Sequence, residues 1–219
     1  MIGVFGGTFD PVHFGHLRPA LEVLQHLQLD GLRLIPACVP PHRRLPQASA
    51  DQRLHMLELA VDGEAGLKVD RRELDRTGPS YTVDTLRGLR QELGETRPLC
   101  LIMGMDAFAG LRSWHEWETI PRLAHLVVTH RPGAVVPGDL WESAWLESAR
   151  TTAVEDLRRV PAGRVLFTPV TQLDISATAV RELIARGESP RYLLPSRVWD
   201  YIRAEGLYAG GAAPEAQAR

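Results

Sequence analysis

The chain has 219 residues, of which 44% are hydrophobic, so it can bury a substantial core and fold without help. Its 25 basic and 27 acidic side chains nearly cancel, which excludes the global positive field that recruits nucleic acid or an anionic membrane. The two cysteines, Cys38 and Cys100, form no C-x-x-C pair, and we expect reduced thiols in a cytoplasmic protein.

The chain opens directly on a strand pattern. Met1 precedes the apolar run Ile2 to Phe5 rather than a basic leader, and no apolar stretch reaches the roughly 20 residues that span a bilayer, so we expect no membrane partner. Further short runs rich in Val, Ile and Leu predict strands at Leu32 to Pro36, Leu67 to Val69, Leu99 to Met103, His125 to Thr129 and Val165 to Thr168.

Helical patterns fall between these runs. Apolar residues recur at helical spacing from Leu17 to Leu27, from Leu54 to Val61 and from Val83 to Leu93. This alternation predicts an α/β fold, a Rossmann-like doubly wound parallel sheet with flanking helices. Because helices cover both faces of such a sheet, its ligands bind in the loops at the carboxyl ends of the strands.

We expect a single domain over residues 1–208, followed by a flexible tail over residues 209–219. The core covers residues 1–170, and within it the charged, Trp-bearing residues 134–159 indicate a peripheral helical insertion. Residues 171–208 predict a small C-terminal helical part. Its first helix has Ser176 as N-cap and ends at Gly187, and its second covers Ser196 to Glu205, closed by Gly206.

The most informative loop runs from Gly6 to His16, between the first predicted strand and the first predicted helix. A strand that turns through glycines into a helix presents free backbone N–H groups and the positive end of a helix dipole, which favour a bound anion. His13 and His16 add donors aimed at the same anion, with His16 expected closest to the helix start. Gly15 indicates close approach of a ligand to the backbone.

Other interpretations of this loop remain open. His13 and His16 share a helix face and could bind zinc in a hydrolase, although the H-E-x-x-H pattern and an obvious third ligand are missing. Gly3, Gly6 and Gly7 do not follow the G-x-G-x-x-G spacing, which removes the main support for a dehydrogenase. Phosphate contact is the interpretation that the motif favours.

Two segments carry a family resemblance. Gly6 to His16, ending in H-x-G-H, resembles the signature of the nucleotidyltransferases, and Ile175 to Arg181 is similar to their second signature, usually I-S-S-T-x-I-R. Within that superfamily the chain resembles bacterial nicotinate-nucleotide adenylyltransferases from residue 1 to about Tyr208. The further cues are Val39 to Arg43, Pro79 to Thr82, Gly104 to Asp106, Trp114 to Ile120 and Arg131 to Gly133.

The resemblance implies an ATP site in which His13, His16 and Arg181 are catalytic. Ser176, Thr178 and Arg181 would hold the triphosphate, and Asp106 would accept from ribose hydroxyls. The plainer alternatives are a simple N-cap at Ser176, a solvated Arg181 and a helix cap at Asp106. The full implied set is Gly6, Gly7, Thr8, Phe9, His16, Gly104, Asp106, Arg131, Ile175, Ser176, Thr178 and Arg181.

The resemblance also implies a nicotinate mononucleotide site formed by Thr8, His42, Arg43, Thr82, Trp114 and His115. Trp114 would stack on the pyridine ring, although core packing is the plainer reading. Many relatives carry Tyr where this chain has His115, and Asn before Val39, where this chain has Ala37 and Cys38.

The implied reaction is direct attack of the 5′-phosphate of nicotinate mononucleotide on the α-phosphorus of ATP, giving deamido-NAD and pyrophosphate in NAD biosynthesis. Mg²⁺ would be held by the substrate phosphates, with no metal site made by protein ligands. The alternatives are another acceptor, namely nicotinamide mononucleotide or phosphopantetheine, and an inactive nucleotide-binding regulatory module. A homo-oligomer stays possible. The interpretation requires the two signature segments to converge and both imidazoles to be open to solvent.

Overall fold

The computed structural model describes residues 1–38, 45–131 and 144–210, and within them seven strands form one all-parallel sheet. The strands are β1 (Ile2–Gly7), β2 (Gly31–Pro36), β3 (Leu67–Val69), β4 (Leu99–Gly104), β5 (His125–His130), β6 (Arg150–Thr151) and β7 (Val165–Pro169). Their order is β3-β2-β1-β4-β5-β7-β6. All six predicted strands are present, each within two residues of its predicted ends.

Helices connect and cover these strands. The described helices are α1 (Phe14–His26), α2 (Ala50–Val61), α3 (Thr82–Leu93), α4 (Met105–Ala109), α5 (Ile120–Leu123), α6 (Ala144–Ala149), α7 (Val154–Arg159), α8 (Ala177–Ala185) and α9 (Ser196–Ala204). In the described part of the chain, no helix has the length and apolar character needed to cross a membrane. The two predicted C-terminal helices are confirmed, and Gly187 and Gly206 follow them with positive φ.

The strand order reverses between β1 and β4. Val4 of β1 pairs with Arg33 of β2 on one side and with Leu101 of β4 on the other. The chain therefore leaves β1 and β4 in opposite directions, which opens a crevice between the loops that follow them. The glycine-rich segment after β1 and Gly104 after β4 both lie at this edge of the sheet.

Side chains of the central strands alternate between two cores. In β4, Cys100 and Ile102 pack into the core that also contains residues of α1, α2, α8 and α9. Leu99, Leu101 and Met103 face the other way, into the core formed with α3, α4 and α5. This alternation is why the strands read as continuous apolar runs: both faces of a doubly wound sheet are buried.

The predicted insertion differs from expectation in one respect. Of residues 134–159 the structure describes 144–159, which form α6, β6 and α7, whereas residues 134–143 lie outside the described residues. The segment is therefore not wholly helical, because Arg150 and Thr151 pair in parallel with Val165 and Leu166 and extend the sheet by one edge strand. A two-residue strand has too short a pattern to detect in the sequence.

A buried arginine braces the edge of the sheet opposite the crevice. Arg90, in the last turn of α3, is 4% exposed, and its guanidinium donates to backbone carbonyl oxygens instead of to a carboxylate. The shortest contact to each of three segments is 2.6 Å from Nη1 to Arg97 O, 2.6 Å from Nη2 to Leu123 O and 2.9 Å from Nη2 to Pro161 O. One side chain thus ties α3 to the segments that precede β4, β5 and β7.

Substitutions of Arg90 and of Arg87 compare a buried structural arginine with a surface arginine on the same helix. We expect Arg90→Met to lower the free energy of unfolding by about 2–3 kcal/mol, because several buried carbonyls lose their donors. Arg87→Met breaks exposed ion pairs with Glu116 and Asp84 and should leave the free energy of unfolding nearly unchanged. Urea unfolding followed by circular dichroism measures both, and equal losses would contradict the bracing role.

Candidate active site

The first helix begins earlier than its apolar pattern indicates. Helix α1 starts at Phe14, and His13 is its N-cap residue in extended conformation. The expectation that His16 lies closest to the helix start is therefore wrong, since His16 is the third residue of the helix. The pattern pointed to Leu17 because the first turn carries His and Gly instead of apolar residues.

The two imidazoles stack on one another. The ring centroids of His13 and His16 are 3.8 Å apart with an interplanar angle of 29°. The ring of Phe9, which is 1% exposed, also contacts His16, at 5.1 Å in an edge arrangement. These two ring contacts hold the half-buried His16 ring in the first turn of α1.

His13 is buried, contrary to expectation. It is 4% exposed, and burial lowers its pKa from the ordinary 6.5 to about 4. Its Nδ1 has no hydrogen-bond partner among the described residues. His13 is therefore neutral at physiological pH. This corrects the expectation that it adds positive charge beside a phosphate, because it can offer only a neutral N–H or a lone pair.

Gly15 is required by contacts within the protein. A Cβ on residue 15 would lie 2.9 Å from His13 Nδ1 and 3.0 Å from the carbonyl oxygen of Ile175. The close approach predicted at this glycine is thus made by a ring and by a distant backbone segment, and no ligand is needed to explain it. This contact also brings the two signature segments together, as the sequence interpretation requires.

The start of α8 is organised by its own side chains. Ser176 is the N-cap, and its Oγ accepts from the backbone N–H of Ala179 at 3.1 Å. Arg181 is half-buried; its Nη2 donates to Thr178 Oγ1 at 3.2 Å and its Nη1 to the carbonyl oxygen of Asp10 at 2.6 Å. Arg181 is therefore fixed against the first signature, not a freely solvated helix residue.

Sequence reasoning missed a buried polar cluster behind the glycine loop. Arg53 of α2 is 1% exposed, and its Nη1 donates to the carbonyl oxygens of Thr8 at 2.8 Å and Ala37 at 2.7 Å. Burial lowers the pKa of this guanidinium. The loops after β1 and β2 are thereby joined through backbone acceptors, which accounts for a polar connection at Ala37 without a polar side chain there.

The remaining ATP-side candidates lie at or just after the ends of β1, β4 and β5. Gly104 is the N-cap of α4, so Asp106 is not a cap and its exposed carboxylate lies within the first turn. Arg131 follows β5 on the surface, where its Nε donates to Gln172 Oε1 at 3.3 Å. Gly6 is exposed and Gly7 lies directly over Phe9, whose ring would meet a Cβ on residue 7 at 2.9 Å.

The acceptor-side candidates cluster around the start of α3. Thr82 is the first helical residue, so its backbone N–H lies at the positive end of the helix. The rings of Tyr81 and His115 stack at 4.3 Å, and Trp114 packs half-buried against the core on the α3 side of the sheet. Thr8 lies next to the glycine pair, whereas His42 and Arg43 lie outside the described residues.

The described residues contain no group of three or more His, Cys, Asp and Glu side chains placed to hold a metal ion. The nearest buried carboxylate to the histidine pair in sequence, Asp10, already accepts from the backbone N–H groups of Gln47 and Ala48. Nothing in the described part of the site therefore favours the zinc hydrolase interpretation.

Comparisons with known proteins agree on one family. The cytidylyltransferase-like family model matches residues 4–183. A protein of Dechloromonas aromatica with the curated name "Probable nicotinate-nucleotide adenylyltransferase" is 50% identical over 94% of this chain and 97% of its own length. A protein of the same name from Halorhodospira halophila is 52% identical over 94% of each chain.

A solved structure supports the fold. The Plasmodium falciparum nicotinic acid mononucleotide adenylyltransferase complexed with NaAD superposes with a TM-score of 0.68 at 17% identity, covering 94% of this chain and 96% of that one. Together with the all-parallel sheet, this confirms the predicted Rossmann-like α/β fold.

The buried His13 makes stability depend on pH. The unfolded chain binds a proton at His13 as the pH falls through about 6.5, while the folded protein binds it only near pH 4. His13 therefore causes almost no loss in the free energy of unfolding at pH 7.5. Between pH 7.5 and pH 5 this residue alone should lower the free energy of unfolding by about 2 kcal/mol.

Urea unfolding at the two pH values measures this loss, and His13→Asn should show a fall smaller by about that amount. Burial also lowers the pKa of His125, which adds a loss of the same sign to both proteins and cancels in their difference. His26→Gln removes an exposed imidazole from the far end of α1 and serves as the control. A fall of the same size in wild type and His13→Asn would contradict the burial argument.

Proposed function

We propose that this chain, which belongs to the cytidylyltransferase-like family and within it to the nicotinate-nucleotide adenylyltransferases, transfers the adenylyl group of ATP to nicotinate mononucleotide. The products are deamido-NAD and pyrophosphate, a step of NAD biosynthesis. The observation that carries the proposal is the meeting of two helix N-termini, those of α1 and α8, at the carboxyl edge of the sheet beside a stacked histidine pair.

The reaction needs no nucleophile from the protein. The 5′-phosphate of the acceptor attacks the α-phosphorus of ATP in line, that P–O bond forms as the bond to the β-phosphate oxygen breaks, and pyrophosphate leaves with the electron pair. Catalysis of such a displacement depends on positioning the two substrates and on stabilising charge on the phosphate oxygens. The crevice supplies backbone N–H groups, an imidazole and a guanidinium for both tasks.

We assign the triphosphate to the α1 and α8 turns. His16, in contact with the rings of His13 and Phe9, donates to a phosphate oxygen near the reacting phosphorus, and neutral His13 fixes its ring by stacking. The N–H groups of the first turn of α8, the Thr178 hydroxyl and the Arg181 guanidinium bind the leaving phosphates. Gly6, Gly7, Thr8, Phe9 and Ile175 line this region, and Gly104, Asp106 and Arg131 serve the ribose and adenine side.

We assign the pyridine nucleotide to the turn before α3. The carboxylate of nicotinate accepts from the backbone N–H at Thr82, and the ring lies against Trp114 beside the Tyr81 and His115 stack. A carboxylate at a helix N-terminus gains about 0.3–1 kcal/mol, and about 2 kcal/mol when partly buried, which is tens-fold preference over the amide. Thr8 completes this side, and His42 and Arg43 are proposed for the acceptor phosphate.

We propose that Mg²⁺ enters with ATP. When bound to the triphosphate, it neutralises negative charge on the phosphate oxygens. The described residues fit this arrangement, because Asp10 is already occupied by backbone donors and the crevice offers donors to phosphate in place of ligands to a metal. Preference among divalent ions would then follow the ATP complex rather than a protein cage.

Acceptor specificity is tested by pyrophosphate release from ATP in parallel reactions with nicotinate mononucleotide, nicotinamide mononucleotide and phosphopantetheine. We expect kcat/KM for the nicotinate form to exceed that for the amide by at least about tenfold, with no release from phosphopantetheine. Release with phosphopantetheine alone would overturn the acceptor, and release with none of the three would indicate a regulatory module.

The role of His16 is tested by substitution. His16→Ala should lower kcat by about 10²–10³, the effect of removing one preorganised donor to a developing charge. His26→Ala, on the exposed end of the same helix, should leave kcat unchanged. Steady-state assays with both variants, after confirming equal melting temperatures, measure this. A His16→Ala enzyme within fivefold of wild type would remove the residue from the mechanism.

A further inference from the structure

We infer that Tyr208, near the end of the described chain, is a positioning residue for the triphosphate site: it satisfies the Asp10 carboxylate and so keeps Arg181 available for phosphate. The inference rests on the proposed role of Arg181 at the leaving phosphates. Tyr208 and Asp10 are separated by 198 positions in sequence, yet the tyrosine hydroxyl donates to Asp10 Oδ1 at 2.6 Å.

Asp10 is the centre of the arrangement. It is 5% exposed, and its carboxylate accepts from Gln47 N at 2.8 Å, from Ala48 N at 3.1 Å and from Tyr208. Its carbonyl oxygen accepts from Arg181 Nη1 at 2.6 Å. One residue of the first signature segment is thus bound both by the second signature and by the carboxyl end of the fold.

Arg181 lies close enough to the Asp10 carboxylate to be drawn into a tighter ion pair with it. The distance from its Nη1 to Asp10 Oδ2 is 3.8 Å, longer than a hydrogen bond, while the same nitrogen donates to the carbonyl oxygen of Asp10. The other buried cation nearby, Arg53, is directed to the carbonyl oxygens of Thr8 and Ala37. Arg181 is therefore the cation that the carboxylate would draw in if it lost a donor.

The Tyr208 hydroxyl is well suited to donate to the Asp10 carboxylate. Burial and the neighbouring Asp10 carboxylate raise the pKa of its hydroxyl, which keeps the proton in place. Its backbone is left-handed, with φ of 62°, and the preceding Leu207 N–H donates to Ile202 O at 3.0 Å, so the turn after α9 is fixed. A tyrosine in a left-handed backbone is uncommon, and here it aims the phenol into the fold.

Removing the hydroxyl frees one lone pair of a buried carboxylate. The carboxylate is then short of one donor at Oδ1, and the Arg181 guanidinium, whose Nη1 lies 3.8 Å from Oδ2, is a charged donor that can move in to compensate. Tightening the present 3.8 Å ion pair into a direct hydrogen bond would shift the guanidinium away from phosphate and offset more of its charge. The cost should fall on ATP binding and on pyrophosphate departure, and the turn before α3 that is assigned to the pyridine nucleotide should be unaffected.

The test compares Tyr208→Phe with a matched control, Tyr201→Phe. Tyr201 lies on α9, its ring packs against His55 at 4.7 Å, and its hydroxyl makes no hydrogen bond with the residues that the structure describes. We expect Tyr208→Phe to raise KM for ATP about tenfold and to leave KM for nicotinate mononucleotide within twofold. Tyr201→Phe should match wild type. Equal effects of Tyr208→Phe on the two KM values, or none on either, would overturn the inference.

A double-mutant cycle distinguishes positioning of Arg181 from a general structural role. In an Arg181→Ala background, adding Tyr208→Phe should reduce kcat/KM for ATP by less than twofold, because the cation that Tyr208 protects is gone. Losses that multiply would assign Tyr208 to structure alone. If Arg181→Ala itself leaves the ATP kinetics unchanged, the proposed role of Arg181 fails, and that outcome is read separately from the Tyr208 result.

Discussion

The absence of a side chain at residue 15 is the constraint on which the site depends. The carbonyl oxygen of Ile175 and the ring of His13 both occupy space that any Cβ there would need. With glycine, the first turn of α1 and the residue before the Ser176 N-cap lie in contact, although 160 positions separate them. Two helix N-termini then add their positive ends in one crevice, and an anion placed between them is favoured by both.

The positive character of this crevice does not come from a simple cluster of charged side chains. Burial removes the charge from His13, so the positive character comes from backbone N–H groups and from Arg181. A stacked pair of two imidazolium rings at 3.8 Å would repel, whereas a neutral ring can support its neighbour without electrostatic cost. Burial of one histidine is thus compatible with a phosphate site, and the requirement that both rings face solvent was too strict.

Much of the fold followed from the sequence because its signals were local. Six apolar runs separated by helical patterns determine a parallel sheet, and Ser176 and Gly187 marked the ends of α8 through capping chemistry. The start of α1 at Phe14 and the two-residue β6 were missed, because neither carries an apolar period. The roles proposed for His16, Ser176 and Arg181 came from family signatures, whereas their contacts required coordinates.

The buried polar cluster around Arg53 shows why the remaining contacts of the site could not be predicted from the sequence. Arg53 stands one and two helical turns before Leu57 and Val61, so it lies on the buried face of α2, and a cation at such a position signals a specific acceptor. The acceptors are backbone carbonyl oxygens of Thr8 and Ala37, which no sequence pattern reveals. Because Arg53 donates to these dipoles, the hydrogen bonds of the Asp10 carboxylate come from neutral donors, and Arg181 Nη1 lies 3.8 Å from Oδ2. Two buried groups of opposite charge, Arg53 and Asp10, thus each hydrogen-bond to neutral partners, and this division leaves the Arg181 guanidinium at the crevice.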